Sequence, residues 1–132
     1  MRIVLDSNVM IAAFASRGLC LNVFEICLNK HTIILSRFLL QEIHRNLQKK
    51  IKLPLSLCNE IQKLLSAEAE IVEPCTLSKD VCRHRTDIKV LGTGIAGQAD
   101  AIVTGDEDIL ILRHFHSIPI LSPRKFWEFI KK

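Results

Sequence analysis

Two short runs that are apolar at every position end on carboxylates. Ile3-Val4-Leu5 leads directly into Asp6-Ser7-Asn8, and Ala101-Ile102-Val103 passes through Thr104-Gly105 into Asp106-Glu107-Asp108. A strand without polar alternation is buried on both faces, which is the signature of a parallel sheet covered by helices on either side. Three further short runs follow the same rule less strictly: Thr32 to Leu35, Glu70 to Val72 before Pro74, and Ile118 to Leu121. Stretches with a helical period separate them.

Those stretches carry their own punctuation. Val9 to Ala15 and Leu19 to Asn29 read as two helices split near Arg17-Gly18. Ser36 is placed to cap a helix reaching about Lys49, with Leu39, Leu40, Ile43 and Leu47 on one face. Pro54 suits the first turn of a helix whose inner side holds Ile61, Leu64 and Leu65. Asp87 opens a pattern through Ile95, and Ser122-Pro123 starts a last helix with Phe126, Trp127, Phe129 and Ile130. Alternating strands and helices predict one three-layer α/β/α domain over residues 1–132, built on a parallel sheet.

Bulk properties exclude several classes. No apolar run approaches the roughly 20 residues of a membrane helix, and the N-terminal region lacks the basic and cleavage segments of a secretory signal, so a cytoplasmic chain that does not span a membrane is expected. The five cysteines are scattered, without a paired C-x-x-C. Cys20, Cys27 and Cys58 fall in apolar helical patterns and are expected to be free thiols. A zinc site from Cys75, Cys82 and His84 lacks the usual spacing. No P-loop lysine motif is present. The formal charge is +4, from 18 Lys and Arg against 14 Asp and Glu. If several acids gather on a cation, the rest of the surface is clearly basic, which suits a polyanionic partner.

In open α/β sheets ligands bind beyond the carboxyl ends of the strands, the position of both Asp6 and Asp106. Glu42, at the edge of an apolar helix face, and Asp87, before the fourth strand, are positioned to join them, with Asp108 nearby. Taken singly, each acid has a plainer reading as a helix cap or a solvated residue. Together they repel and raise one another's pKa unless a cation lies among them. Hard oxygen donors suit Mg²⁺ or Mn²⁺, ions that act on phosphate esters.

The stretches IVLDSNVMIAAF, LSRFLLQEIHRNL, TDIKVLGTGIAGQADAIVTGDEDIL and ILSPRKFWEFI together resemble the PIN domain. Their order and spacing look like the VapC-like toxin components of bacterial and archaeal toxin–antitoxin systems. The resemblance implies a five-stranded parallel sheet and a metal-dependent ribonuclease. It implies Asp6, Glu42, Asp87 and Asp106 as the acidic quartet, Asn8 and Thr104 as polar residues lining the site, and Asp108 as an auxiliary acid. Asp6, Asp87 and Asp106 are the expected metal ligands, with Glu42 or Asp87 orienting or deprotonating water. Expected partners are an RNA substrate, a cognate antitoxin and a second copy of the chain in a homodimer.

The sequence departs from that pattern in two places. Cys82-Arg83-His84-Arg85 stands where an acid and a proline are common, making Arg83, His84 and Arg85 candidate contacts to substrate phosphates. Gly92, Gly94 and Gly97 interrupt a helix that is usually alanine-rich, and each costs about 0.5–1 kcal/mol against alanine; a short or mobile helix is expected. His114 and His116 read as structural polar positions. A receiver or haloacid-dehalogenase-like phosphotransfer domain fits poorly, since Asn8 stands where the latter needs a second Asp. The alternative function is a catalytically degenerate PIN domain that binds RNA or protein.

Overall fold

The computed structural model describes residues 1–81 and 84–131. The chain runs β1 (Arg2–Leu5), α1 (Ser7–Ala15), α2 (Leu19–Lys30), β2 (Thr32–Leu35), α3 (Arg37–Lys49), α4 (Leu55–Glu68) and β3 (Glu70–Ile71). It continues through α5 (Arg85–Ala96), β4 (Ala101–Val103), α6 (Glu107–Leu110), β5 (His114–Phe115), β6 (Ile118–Leu121) and α7 (Pro123–Ile130). The strands form one sheet in the order β3-β2-β1-β4-β6-β5.

Five of these strands are parallel, as the apolar runs predict. Ile3 pairs with Ile33 on one side and Ala101 on the other, and β3 and β6 extend the sheet outward. Ile3, Val4, Leu5, Ala101, Ile102 and Val103 are fully buried. The expected count of five needs one addition: β5, two residues long, pairs antiparallel with β6. It closes a hairpin whose turn residues His116 and Ser117 both have positive φ, at 49° and 70°, the geometry of a tight two-residue turn. Because the chain leaves β1 toward β2 and later returns on its other side at β4, the carboxyl ends of β1 and β4 flank a topological switch point.

Local chemistry sets the helix ends. The Ser36 hydroxyl accepts from the Leu39 N–H at 3.2 Å and caps α3, whose Leu39, Leu40, Ile43 and Leu47 are all buried. Ser122 caps α7 in the same way. On α4 the inward positions are Cys58, Ile61 and Leu65; Leu64, expected inside, is 41% exposed, because on a 3.6-residue period it falls about 90° from the centre of the stripe those three form. Cys27 and Cys58 are buried free thiols, and Cys20 is half-buried.

Helix α5 is neither short nor broken by its glycines, contrary to expectation. It runs for 12 residues, and the glycines let it lie close to its neighbours. A Cβ on Gly97 would stand 2.5 Å from Ile34 Cγ2, one on Gly94 2.8 Å from Ile102 Cδ1, and one on Gly92 2.5 Å from the Cys75 carbonyl. Close packing against the sheet thus offsets the loss in helix propensity. No single helix among the described residues is long and apolar enough to cross a membrane.

Candidate active site

At the end of β1 the backbone N–H of Asp6 still pairs with the Val103 carbonyl of β4, at 2.9 Å. Beyond that pairing its side chain turns into the gap between the two strands and is almost completely buried. Asp6 Oδ1 accepts from the Ser7 N–H at 2.7 Å, capping α1. Asp6 Oδ2 accepts from the Thr104 hydroxyl at 2.7 Å and from Asn8 Nδ2 at 3.3 Å. The Thr104 oxygen in turn accepts from the Asp106 N–H at 3.0 Å. Asn8 Oδ1 receives the Gly105 N–H at 2.9 Å. Asp106 closes the run by accepting from the Asp108 N–H at 2.9 Å, which caps α6. The two acid-bearing strand ends are therefore stitched together by Asn8 and Thr104.

The other two acids arrive on helices. Glu42, half-buried on α3, accepts a hydrogen bond from the Ser7 hydroxyl. Asp87, in the first turn of α5, is buried. Its Oδ2 has no hydrogen-bond partner among the described residues. Burying an unsatisfied charged oxygen is costly.

Electrostatics reflect the crowding. The Asp6 carboxyl is pushed up to about 6, first by burial, with the charges of Glu42 and Asp106 adding to it and the hydrogen bonds from Thr104 and Ser7 opposing. Asp87 is also pushed up to about 6, by burial, then by the charge and contact of Asp106, with His84 opposing. Two neighbouring carboxyls that resist ionisation, one carrying an unpartnered buried oxygen, are the environment a divalent cation would relieve. The donor set fits such an ion.

Of the residues singled out by sequence, Asp6, Asn8, Thr104, Asp106 and Asp108 are joined by hydrogen bonds. Asp87 and Glu42 complete the group through direct contact and through Ser7. The basic segment divides. His84 turns toward the acids, with Nε2 2.9 Å from Asp108 Oδ2. Arg85 is exposed and lines a separate cavity of about 180 Å³ with Pro74, Cys75, Lys79 and Lys89. Cys82 and Arg83 lie outside the described residues, as does that corner of the Cys75–Cys82–His84 zinc alternative. His114 lies in β5 and His116 in the turn after it, stacked edge-on against Phe115 with ring centroids 4.4 Å apart.

Two features escaped the sequence. Ser7 was visible only as the neighbour of Asp6, and nothing local marked it as the tether of Glu42. Beside the acids, a cavity of about 550 Å³ is lined by Glu107, Leu110, Arg113, Ser122 and Lys125. Its two cations come from the turn after α6 and the first turn of α7, so only the fold brings them together.

A family model described as the PIN domain matches residues 2–108. Among solved structures, VapBC2 from Rickettsia felis, bound to a DNA fragment from its promoter, is similar at a TM-score of 0.66 and 16% identity, covering 92% of this chain and 98% of that one. VapBC-1 from nontypeable Haemophilus influenzae is similar at a TM-score of 0.63 and 11% identity, covering 95% of this chain and 100% of that one. At such identities the likeness is one of fold. No curated protein matches the chain.

Proposed function

The chain belongs to the PIN-domain family, and we propose that its acidic pocket hydrolyses RNA phosphodiester bonds with Mg²⁺ or Mn²⁺, as the toxin of a toxin–antitoxin pair. One observation carries the reading: acids from four separate elements meet at the carboxyl edge of the sheet, and among them a buried Asp87 oxygen lacks a donor among the described residues. Asp6, Asp87 and Asp106 would hold the cation. When bound, it supplies Lewis-acid stabilisation of charge on the phosphoryl group and acidifies water.

The chain's own residues do the rest. Asn8 and Thr104 hold Asp6 in a single orientation. Glu42, fixed by Ser7 and less buried than Asp87, is the better placed of the two to orient the attacking water and take its proton. Arg113 and Lys125, in the cavity next to Glu107, attract the phosphates of the strand being cut without reading its sequence. The likeness to VapBC2 and VapBC-1 supports an antitoxin partner that covers the acidic cleft. Exposed Leu57 and Leu64 on α4, seven residues apart and so on one face, offer apolar surface for that partner or for a second copy in a homodimer. The setting is cytoplasmic, where RNA and antitoxin are met.

The test is direct. Purified protein with Mn²⁺ or Mg²⁺ should cut single-stranded RNA, a chelator should stop it, and added salt should weaken it. Asp6→Asn should keep the fold by circular dichroism and lose the activity. Full cleavage by folded Asp6→Asn protein would overturn the enzyme reading and leave a binding module.

A further inference from the structure

His84 precedes α5 in the N-cap position, yet its side chain makes no capping hydrogen bond. Its backbone carbonyl accepts from the Ile88 N–H at 3.2 Å, which ties the residue to the first turn. The imidazole instead reaches across to Asp108. One ligand atom each from His84, Asp87 and Asp108 lie within 4.8 Å of one another, a spacing that an ion with bonds of about 2.0–2.4 Å can span. The buried Asp87 Oδ2, without a donor among the described residues, is an independent sign that this corner can take an ion.

We propose that His84, with Asp87 and Asp108, is a nitrogen-bearing arm of the metal centre, which makes the site prefer a transition-metal dication of the Mn²⁺, Co²⁺ or Ni²⁺ kind over Mg²⁺. This rests on the acidic pocket being a metal centre and adds the chemistry that selects the ion. Imidazole is a good ligand for first-row transition metals and a poor one for Mg²⁺, which takes oxygen donors and gives up water reluctantly. The positive end of α5 opposes any cation here, but two carboxylates outweigh one helix terminus. His84 is largely exposed, with 56% of its side chain open, so it can adjust to an ion while Asp87 stays fixed. In the metal-free chain the same imidazole satisfies Asp108.

Chelator-treated full-length protein is titrated calorimetrically with MgCl₂, MnCl₂, CoCl₂ and NiCl₂, for wild type, His84→Ala, His84→Gln, Asp6→Asn and Asp87→Asn. Wild type should bind Co²⁺ and Ni²⁺ at least about tenfold more tightly than Mg²⁺, following the order of ligand affinities. Both His84 variants should lose about tenfold for Co²⁺ and Ni²⁺ and stay within about twofold for Mg²⁺. Pulsed electron paramagnetic resonance of the Mn²⁺ form should show an imidazole nitrogen coupling that His84→Ala removes. If Asp6→Asn and Asp87→Asn abolish binding while both His84 variants bind every ion as wild type does, His84 is only the partner of Asp108 and the proposal falls alone. If no ion binds wild type, the metal-centre reading falls and takes the proposal with it.

Discussion

Asp6 and Asp87 are alike in burial and in being pushed up to about 6, yet they are held in opposite ways. Asp6 ends a central strand, and donors from Ser7, Asn8 and Thr104 share its two oxygens. Asp87 begins a helix, touches another carboxyl and has an oxygen with no donor among the described residues. One acid is finished by the protein and the other is left open. The pair combines rigidity and openness: the sheet edge fixes one carboxylate, and α5 presents another with an oxygen unpartnered among the described residues.

The largest expected effect tests whether that division matters for catalysis. Asp6→Asn and Asp87→Asn should each lower single-turnover RNA cleavage by more than about a hundredfold, beyond the 10–100-fold typical of losing an outer partner of a metal ligand. Wild-type cleavage by Asp87→Asn would mean that the open oxygen serves nothing.

Stability against pH separates the two acids more sharply. Each has a folded pKa near 6 against an unfolded value near 3.8. Between those values the folded state binds more protons, so metal-free stability falls as pH rises from about 4 through 6 and stays low above it. For Asp6 the loss is on the order of 2–3 kcal/mol at neutral pH. Either substitution should flatten the thermal-denaturation profile measured in chelator. Asp87→Asn should raise the melting temperature more than Asp6→Asn, because it removes repulsion without giving up an acceptor. The reverse order would break the comparison.

Thr104→Val removes a donor to Asp6 and an acceptor for the Asp106 N–H while keeping the side chain's shape. It should cost about 1–3 kcal/mol in urea denaturation and loosen Asp6 without moving Asp87. Among the smallest effects, Gly92→Ala drives a Cβ toward the Cys75 carbonyl. About 1–3 kcal/mol of overpacking is partly offset by about 0.5–1 kcal/mol of helix propensity. Because Gly92 lies on the helix that carries Asp87, its metal affinity should fall while the contacts of Asp6 in NMR spectra stay as they are. An unchanged affinity would show that the register of α5 does not position Asp87.

Strands β1, β2 and β4, the Ser36 and Ser122 caps and the place of Asp6 and Asp106 at strand ends were legible because each depends on a few adjacent residues. What was not legible depends on distant ones. Glycines in α5 looked like a local weakness, and only the nearness of Ile34, Ile102 and Cys75 shows why they are needed. The β5 pairing is two residues long, too short for a period to register. His84 read as a basic substrate contact because its charge is local information and its approach to Asp108 is not. Leu64 was placed inward with Ile61 and Leu65, but it lies at the edge of the stripe that Cys58, Ile61 and Leu65 form.

The bond between Thr104 and Asp6 spans 98 residues of chain. Asp6 comes just before α1, and β4 follows only after α1 through α5. Until β4 inserts beside β1, Asp6 has neither Thr104 to orient it nor Asp106 beside it. Closing so long a loop is the late and slow part of folding. Whatever these acids hold or act on, they share one pocket only after β4 has paired with β1. The order of strands in the sheet thus makes the assembled pocket a late product of folding.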